Sequence, residues 1–145
     1  PFGPGAVQEW IDIDPEIDVV SMASSDNTEI RIMSLLDCIL NNTDRKFGHI
    51  LIKSIDELYG CDHGVTLHSE PKLRTVLWQF AGQALTDSEI EALSKLPKFM
   101  DLPYLQTLIT SEEITALLLR IDLLLESGCF PDPNPNWPPV PWPPY

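Results

Sequence analysis

Apolar residues in the middle of the chain recur at threes and fours, the period of a helix with one buried face. Ile30, Met33, Leu36 and Leu40 form the first stripe, broadened by Ile32, Leu35 and Ile39. Asp26-Asn27-Thr28-Glu29 ahead of it fits the N-cap and N3 roles of a capping box. Phe47, Ile50, Leu51, Ile55 and Leu58 predict a second helix from Thr43 to Gly60. After a loop over 61 to 68, Ser69-Glu70-Pro71 opens a third, with Leu73, Val76, Leu77, Phe80, Ala81 and Ala84 on one face. Thr86-Asp87-Ser88-Glu89 is a full capping box for a helix carrying Ile90, Leu93 and Leu96, which Pro97 brings near its end. A short helix over 101 to 109 follows. Thr110-Ser111-Glu112-Glu113 is a second full box, leading into Ile114, Leu117, Leu118, Ile121, Leu124 and Leu125 before Gly128. Five main helices and a short linking one, joined by brief connections, predict an all-α compact bundle over 26 to 130. A helical-repeat array is the minor alternative.

Both flanks break that period. Residues 1 to 25 read as an acidic N-terminal arm, in which Trp10-Ile11-Asp12-Ile13-Asp14 alternates like a half-buried strand and Pro15 ends it. Ile17 to Met22 is a second short strand or a continuation of the arm. Pro1 to Gly5 enter no element. Residues 131 to 145 hold eight of the fourteen prolines, including Trp137-Pro138-Pro139-Val140-Pro141 and Trp142-Pro143-Pro144-Tyr145. Proline fixes φ and carries no amide donor, so this tail is predicted to be polyproline II. With three residues per turn, Trp142 and Tyr145 align on one edge, and Trp137 and Val140 on another.

The charge balance is 22 acidic against 9 basic residues, net −13. That disfavours nucleic acid or an anionic membrane as a direct ligand, since both need Lys and Arg. Three cysteines, Cys38, Cys61 and Cys129, without a CxxC spacing predict reduced thiols and a cytoplasmic setting. The first twenty residues carry five acids and no basic region, unlike a signal peptide. The apolar stretch 114 to 125 contains Arg120 and Asp122 and is too short to span a bilayer.

No catalytic or cofactor motif emerges from this reading, so the expected function is a non-enzymatic protein-protein interaction module: an adaptor, regulator or assembly factor. Its predicted contacts are Trp137, Val140, Trp142 and Tyr145 as apolar anchors, with Asp12, Asp14, Glu16 and Asp18 steering a partner that has a basic or apolar groove. The tail covering a groove of its own domain, or of a second copy, is the alternative. Nucleic-acid mimicry by the acidic surface is a second alternative. A third is a zinc or cysteine-dependent site in the 61 to 70 loop, where Cys61, His63 and His68 supply ligand and nucleophile types, with Cys129 as a distant fourth ligand. Asp62 and Gly64 of that loop read as turn residues.

Overall fold

The computed structural model describes Gly5 and residues 7 to 145. Pro1 to Pro4 and Ala6 lie outside them, so the omission of Pro1 to Gly5 from the element predictions is tested only at Gly5. The described residues form a mixed α/β structure, not the predicted all-α helical bundle. Among the described residues there are five helices, α1 (Val19–Ala23), α2 (Thr28–Leu40), α3 (Asp87–Phe99), α4 (Leu102–Leu105) and α5 (Ser111–Ser127), and a two-stranded antiparallel hairpin of β1 (Ile50–Ser54) and β2 (Glu57–Gly60) that packs against α1 and α2. Among the described residues no helix is long and apolar enough to cross a membrane.

The three long helices are those with the clearest caps. Asn27, one residue later than predicted, caps α2 by accepting from the Glu29 and Ile30 amides. Thr86 with Glu89, and Thr110 with Glu113, close the two reciprocal capping boxes. Gly128 ends α5 at φ 64°. The predicted linking helix shortens to α4, which Asp101 caps. In the N-terminal arm the expected strand over 10 to 14 is irregular, although the Asp14 amide donates to the Ile52 carbonyl at 2.8 Å. Ile17 to Met22 is neither strand nor arm: its second half lies in α1, which Asp18 caps.

Two predicted helices do not exist. Over 43 to 60 the chain makes a 3₁₀ turn (Phe47–His49) and then the hairpin. A short apolar run satisfies both periods, and three Ile residues in six positions favour a strand. Ile50 and Ile52 point into the core, and Ile55, which the helical stripe would bury, is 61% exposed. Over 69 to 84 only Trp78–Phe80 is helical, and that turn is 3₁₀. The amides of Arg74, Thr75 and Val76 donate instead to the carbonyls of Asn42, Pro139 and Arg45. A helix would satisfy these donors internally; here distant segments satisfy them.

One core runs through the molecule, built from Ile30, Met33 and Ile39 of α2, Ile50 and Ile52 of β1, Leu77, Phe80, Leu93, Leu117, Ile121 and Phe130. Arg31 fastens α2 to the start of α3 through a two-pronged ion pair with Glu89, at 2.7 and 2.9 Å.

The hairpin makes a direct prediction. Ile52→Ala should lower unfolding free energy by about 2–5 kcal/mol, and Ile55→Ala by no more than about 0.5 kcal/mol, in urea titrations. A helical segment, with Ile55 inward, would reverse that order.

Candidate functional site

A buried ion pair lies at the end of α2. Asp37 and Arg45 both have fully buried side chains, with Arg45 Nη2 2.8 Å from Asp37 Oδ1 and Nε 2.9 Å from Oδ2. Burying a charge is costly unless every polar atom finds a partner. Arg45 Nη2 also reaches His63 Nε2 at 2.8 Å, and Nη1 donates to the carbonyls of Cys61 at 3.1 Å and His49 at 3.3 Å. The guanidinium's five donors are therefore all engaged. Asp37 Oδ1 accepts further from Asn42 Nδ2 at 2.9 Å. An arginine only donates, so His63 Nε2 is the acceptor and its ring proton belongs on Nδ1.

This network joins three pieces of chain. Asn41, the left-handed end of α2 at φ 53°, donates to the His68 and Glu70 carbonyls and accepts from the Lys72 amide. The loop 42 to 49 runs from there to β1, and the loop 61 to 68 leaves β2. The hairpin returns the chain so that the Cys61 amide donates to the His49 carbonyl at 3.0 Å. His49 Nε2 thereby comes within 3.5 Å of Asp62 Oδ2. Asp62 sits at φ 53°, a left-handed conformation that Asp tolerates better than most residues, with its side chain 62% exposed. Gly60 sits at a close approach: a Cβ there would lie 3.3 Å from the His63 ring and 3.4 Å from Arg45 Nη1, so both would have to give by a few tenths of an ångström. Asp44, next to Arg45, keeps a partly exposed carboxylate 3.1 Å from Lys46 Nζ.

Asp44 and the His49 imidazole thus lie on one loop and Asp62 on the next, and both loops are hydrogen-bonded to the buried ion pair. The order along the chain is Asp44, four residues, His49, a hairpin, then Asp62-His63-Gly64. Neither Asp44 nor Asp62 was singled out as functional by sequence reasoning. The usable signal was the two acids flanking an apolar run between Gly48 and Gly60.

The loop residues that were singled out do not converge. His63 packs on Arg45, while His68 Nδ1 accepts from the Glu70 amide and its Nε2 lies 3.2 Å from Lys72 Nζ. Burial pushes the Cys61 thiol up, away from the reactive thiolate, against the opposing pull of the Arg45 charge. Among the described residues no three His, Cys, Asp or Glu side chains cluster to hold a metal ion, Cys129 included.

The proline-rich tail lies on its own domain and reaches this site. The Thr75 amide and Trp78 Nε1 both donate to the Pro139 carbonyl, at 3.0 and 2.8 Å, and Pro141 is buried. The Phe47 amide donates to the Pro144 carbonyl at 2.8 Å, and the Phe47 and Tyr145 rings are 5.4 Å apart. Trp137 is half-buried with Lys72 Nζ 5.4 Å from its ring centroid. Val140, Trp142 and Tyr145 are exposed, Trp142 to 85%. Of the four predicted steering acids, Asp12 accepts from Trp10 Nε1, Asp14 from the Glu16 amide, and Asp18 caps α1. Glu16 is exposed.

No family model matches the chain, and no solved structure matches it. Two curated proteins are similar in sequence. Protein Rv2133c of Mycobacterium tuberculosis is 40% identical over 131 residues, which are 88% of this chain and 47% of that protein. Phosphatidylinositol 4-kinase gamma 1 of Arabidopsis thaliana is 26% identical over 135 residues, 83% of this chain and 24% of the kinase. The chain spans about half the length of the first and about a quarter of the second.

Two predictions follow from the buried network. Asp37→Asn leaves the Arg45 charge uncompensated and should cost about 3–5 kcal/mol of stability, and Asp37→Leu combined with Arg45→Met should recover most of it, as read by denaturant titration. His63 is held below the ordinary imidazole pKa of 6.5, first by burial and then by Arg45 beside it. The unfolded chain therefore takes up its proton first as pH falls. The stability contributed by neutral His63 is complete above pH 6.5 and is lost below it, toward the folded pKa. Melting temperature should fall more steeply below that pH in the natural protein than in His63→Gln, and parallel curves would contradict the assignment.

Proposed function

We propose that this chain carries the catalytic loop and the metal-binding acid of a phosphotransferase acting on an alcohol. The observation behind this reading is the meeting of His49 and Asp62 at the hairpin base, with Asp44 on the same loop as His49. In protein kinases the catalytic-loop Asp takes the proton of the acceptor hydroxyl. An Asn five residues later and the Asp of an Asp-x-Gly triplet hold the metal ions. Asp44, His49 and Asp62-His63-Gly64 repeat that order and spacing, with His49 where those enzymes have Asn. The name of the plant relative, a kinase, supports the same reading.

In the proposed reaction Asp44 accepts the proton of the acceptor hydroxyl as its oxygen attacks the γ-phosphorus of a nucleoside triphosphate. The new P–O bond forms as the bond to the bridging oxygen breaks, and the diphosphate leaves. Lys46, beside Asp44, adds positive charge where negative charge gathers. Asp62 presents a carboxylate to solvent, the donor type that Mg²⁺ prefers, and would be the acid that holds the ion. His49 contributes nitrogen in place of amide oxygen, a softer donor. Mg²⁺ held there would offset the negative charge that develops on the leaving group. No glycine-rich phosphate loop is among the motifs of these 145 residues, so the roles proposed here are confined to proton transfer and metal binding. The reduced cysteines fit a cytoplasmic location, where such nucleotides are available.

A second reading keeps the expected interaction role for the tail. Trp142, exposed beside the catalytic loop that the tail braces, is the anchor it would use.

Asp44→Asn and Asp62→Asn, made in the natural protein that carries this chain, should each lower nucleotide-dependent turnover by roughly 10²–10⁴-fold. Both carboxylates are partly exposed, so melting temperature should barely move. Turnover that survives both substitutions would remove the proposed roles.

A further inference from the structure

A cavity of about 400 Å³ opens on the side of the molecule formed by α2, α5 and the chain following α5. It is separate from the loops that carry Asp44 and Asp62, none of whose residues line it. Its wall is overwhelmingly apolar, with Cys38, Leu73, Trp78, Leu123 and Phe130 among the lining side chains. A space of this size lies in the range that small-molecule sites occupy.

One cation belongs to that wall. Arg120 of α5 donates through Nε to the Ile39 carbonyl at 2.8 Å and through Nη1 to the His68 carbonyl at 3.2 Å. Its Nη2 is buried and has no acceptor, and among the described residues no carboxylate lies within ion-pair distance of the guanidinium. Burial pushes the Arg120 pKa down from the ordinary arginine value, the cost of a cation left without an anion. Among the described residues Arg74 also lacks a carboxylate within ion-pair distance, but Arg120 lines this cavity and Arg74 does not. Asp132, the other charged group on the wall, is exposed. An apolar chamber with a single underused guanidinium has the chemistry of a site for an apolar acid.

We propose that this cavity binds one small monocarboxylic acid, its hydrocarbon part against Trp78, Leu123 and Phe130 and its carboxylate on the free Nη2 of Arg120. The inference does not depend on phosphotransfer, because the cavity shares no lining residue with the proposed catalytic loops.

Calorimetric titration of the 145-residue chain with hexanoate, octanoate and decanoate, and with decanol as the uncharged probe, tests it. Binding at one site is expected, with Kd falling roughly fourfold per added CH₂ and decanoate binding at least about tenfold more tightly than decanol. Arg120→Gln should remove the preference for decanoate and leave decanol binding unchanged. Leu123→Trp should abolish both by filling the cavity, and as Leu123 is half exposed it should leave the melting temperature nearly unchanged. If Arg120→Gln fails to fold, Arg120→Lys serves, since a lysine retains charge without the planar fork and should weaken decanoate alone. No binding by any acid, equal binding of decanoate and decanol, or decanoate binding that survives Leu123→Trp would each overturn the proposal.

Discussion

The Asp37–Arg45 ion pair is the constraint on which the rest of the site depends. Two charges with fully buried side chains are tolerable only because their polar atoms find partners, and those partners lie on separate segments. Arg45 gathers the carbonyls of His49 and Cys61 and the ring of His63, which lie on either side of the hairpin. The requirement to satisfy one guanidinium therefore fixes the distance between two loops that are far apart as polymer segments. Isolated ion pairs add little to stability, but a pair of this kind specifies geometry, and geometry is what a site of adjacent carboxylates needs.

Around it the molecule adds further braces in place of regular secondary structure. The Arg45 amide and carbonyl bond to Arg74 and Val76, the Thr75 amide and Trp78 indole bond to Pro139, and Pro144 accepts from Phe47. The tail is thus a strap from the 71 to 78 segment back to the 42 to 49 loop. Prolines keep their carbonyls free while lacking amide donors, so this composition suits a strap held mainly as an acceptor, to which the Asn134 side chain adds a donated bond to the Pro71 carbonyl. Its exposed aromatics at 142 and 145 are left facing outward beside that loop.

Helices with both a reciprocal cap and a long amphipathic stripe were legible in the sequence, as α3 and α5 demonstrate with Thr86, Glu89, Thr110 and Glu113. The hairpin was not, because Ile50, Leu51, Ile55 and Leu58 satisfy a helical period as well as a strand's, and only their burial separates the two. The 69 to 84 segment misled for a different reason: Ser69-Glu70-Pro71 has local helix-start chemistry, but the amides after it are claimed by Asn42, Arg45 and Pro139, which no local window contains. The same error concealed the site. Placing residues 43 to 60 on one helix carries His49 away from Asp62, and drew notice to Cys61, His63 and His68 through their side-chain types. Arg45 and Asp37 carry no local signature in the sequence, and it is the fold that buries and pairs them.

In the folded protein Arg45 is locked into this network. The most direct measurement is hydrogen exchange at the Arg45 Nε–H, followed by nitrogen-15 NMR near neutral pH. A resolved resonance is expected, its exchange slowed to the rate of global unfolding, with Asp37→Asn abolishing that protection. An Arg45 Nε–H that exchanges as fast as those of exposed arginines in the intact protein would contradict it.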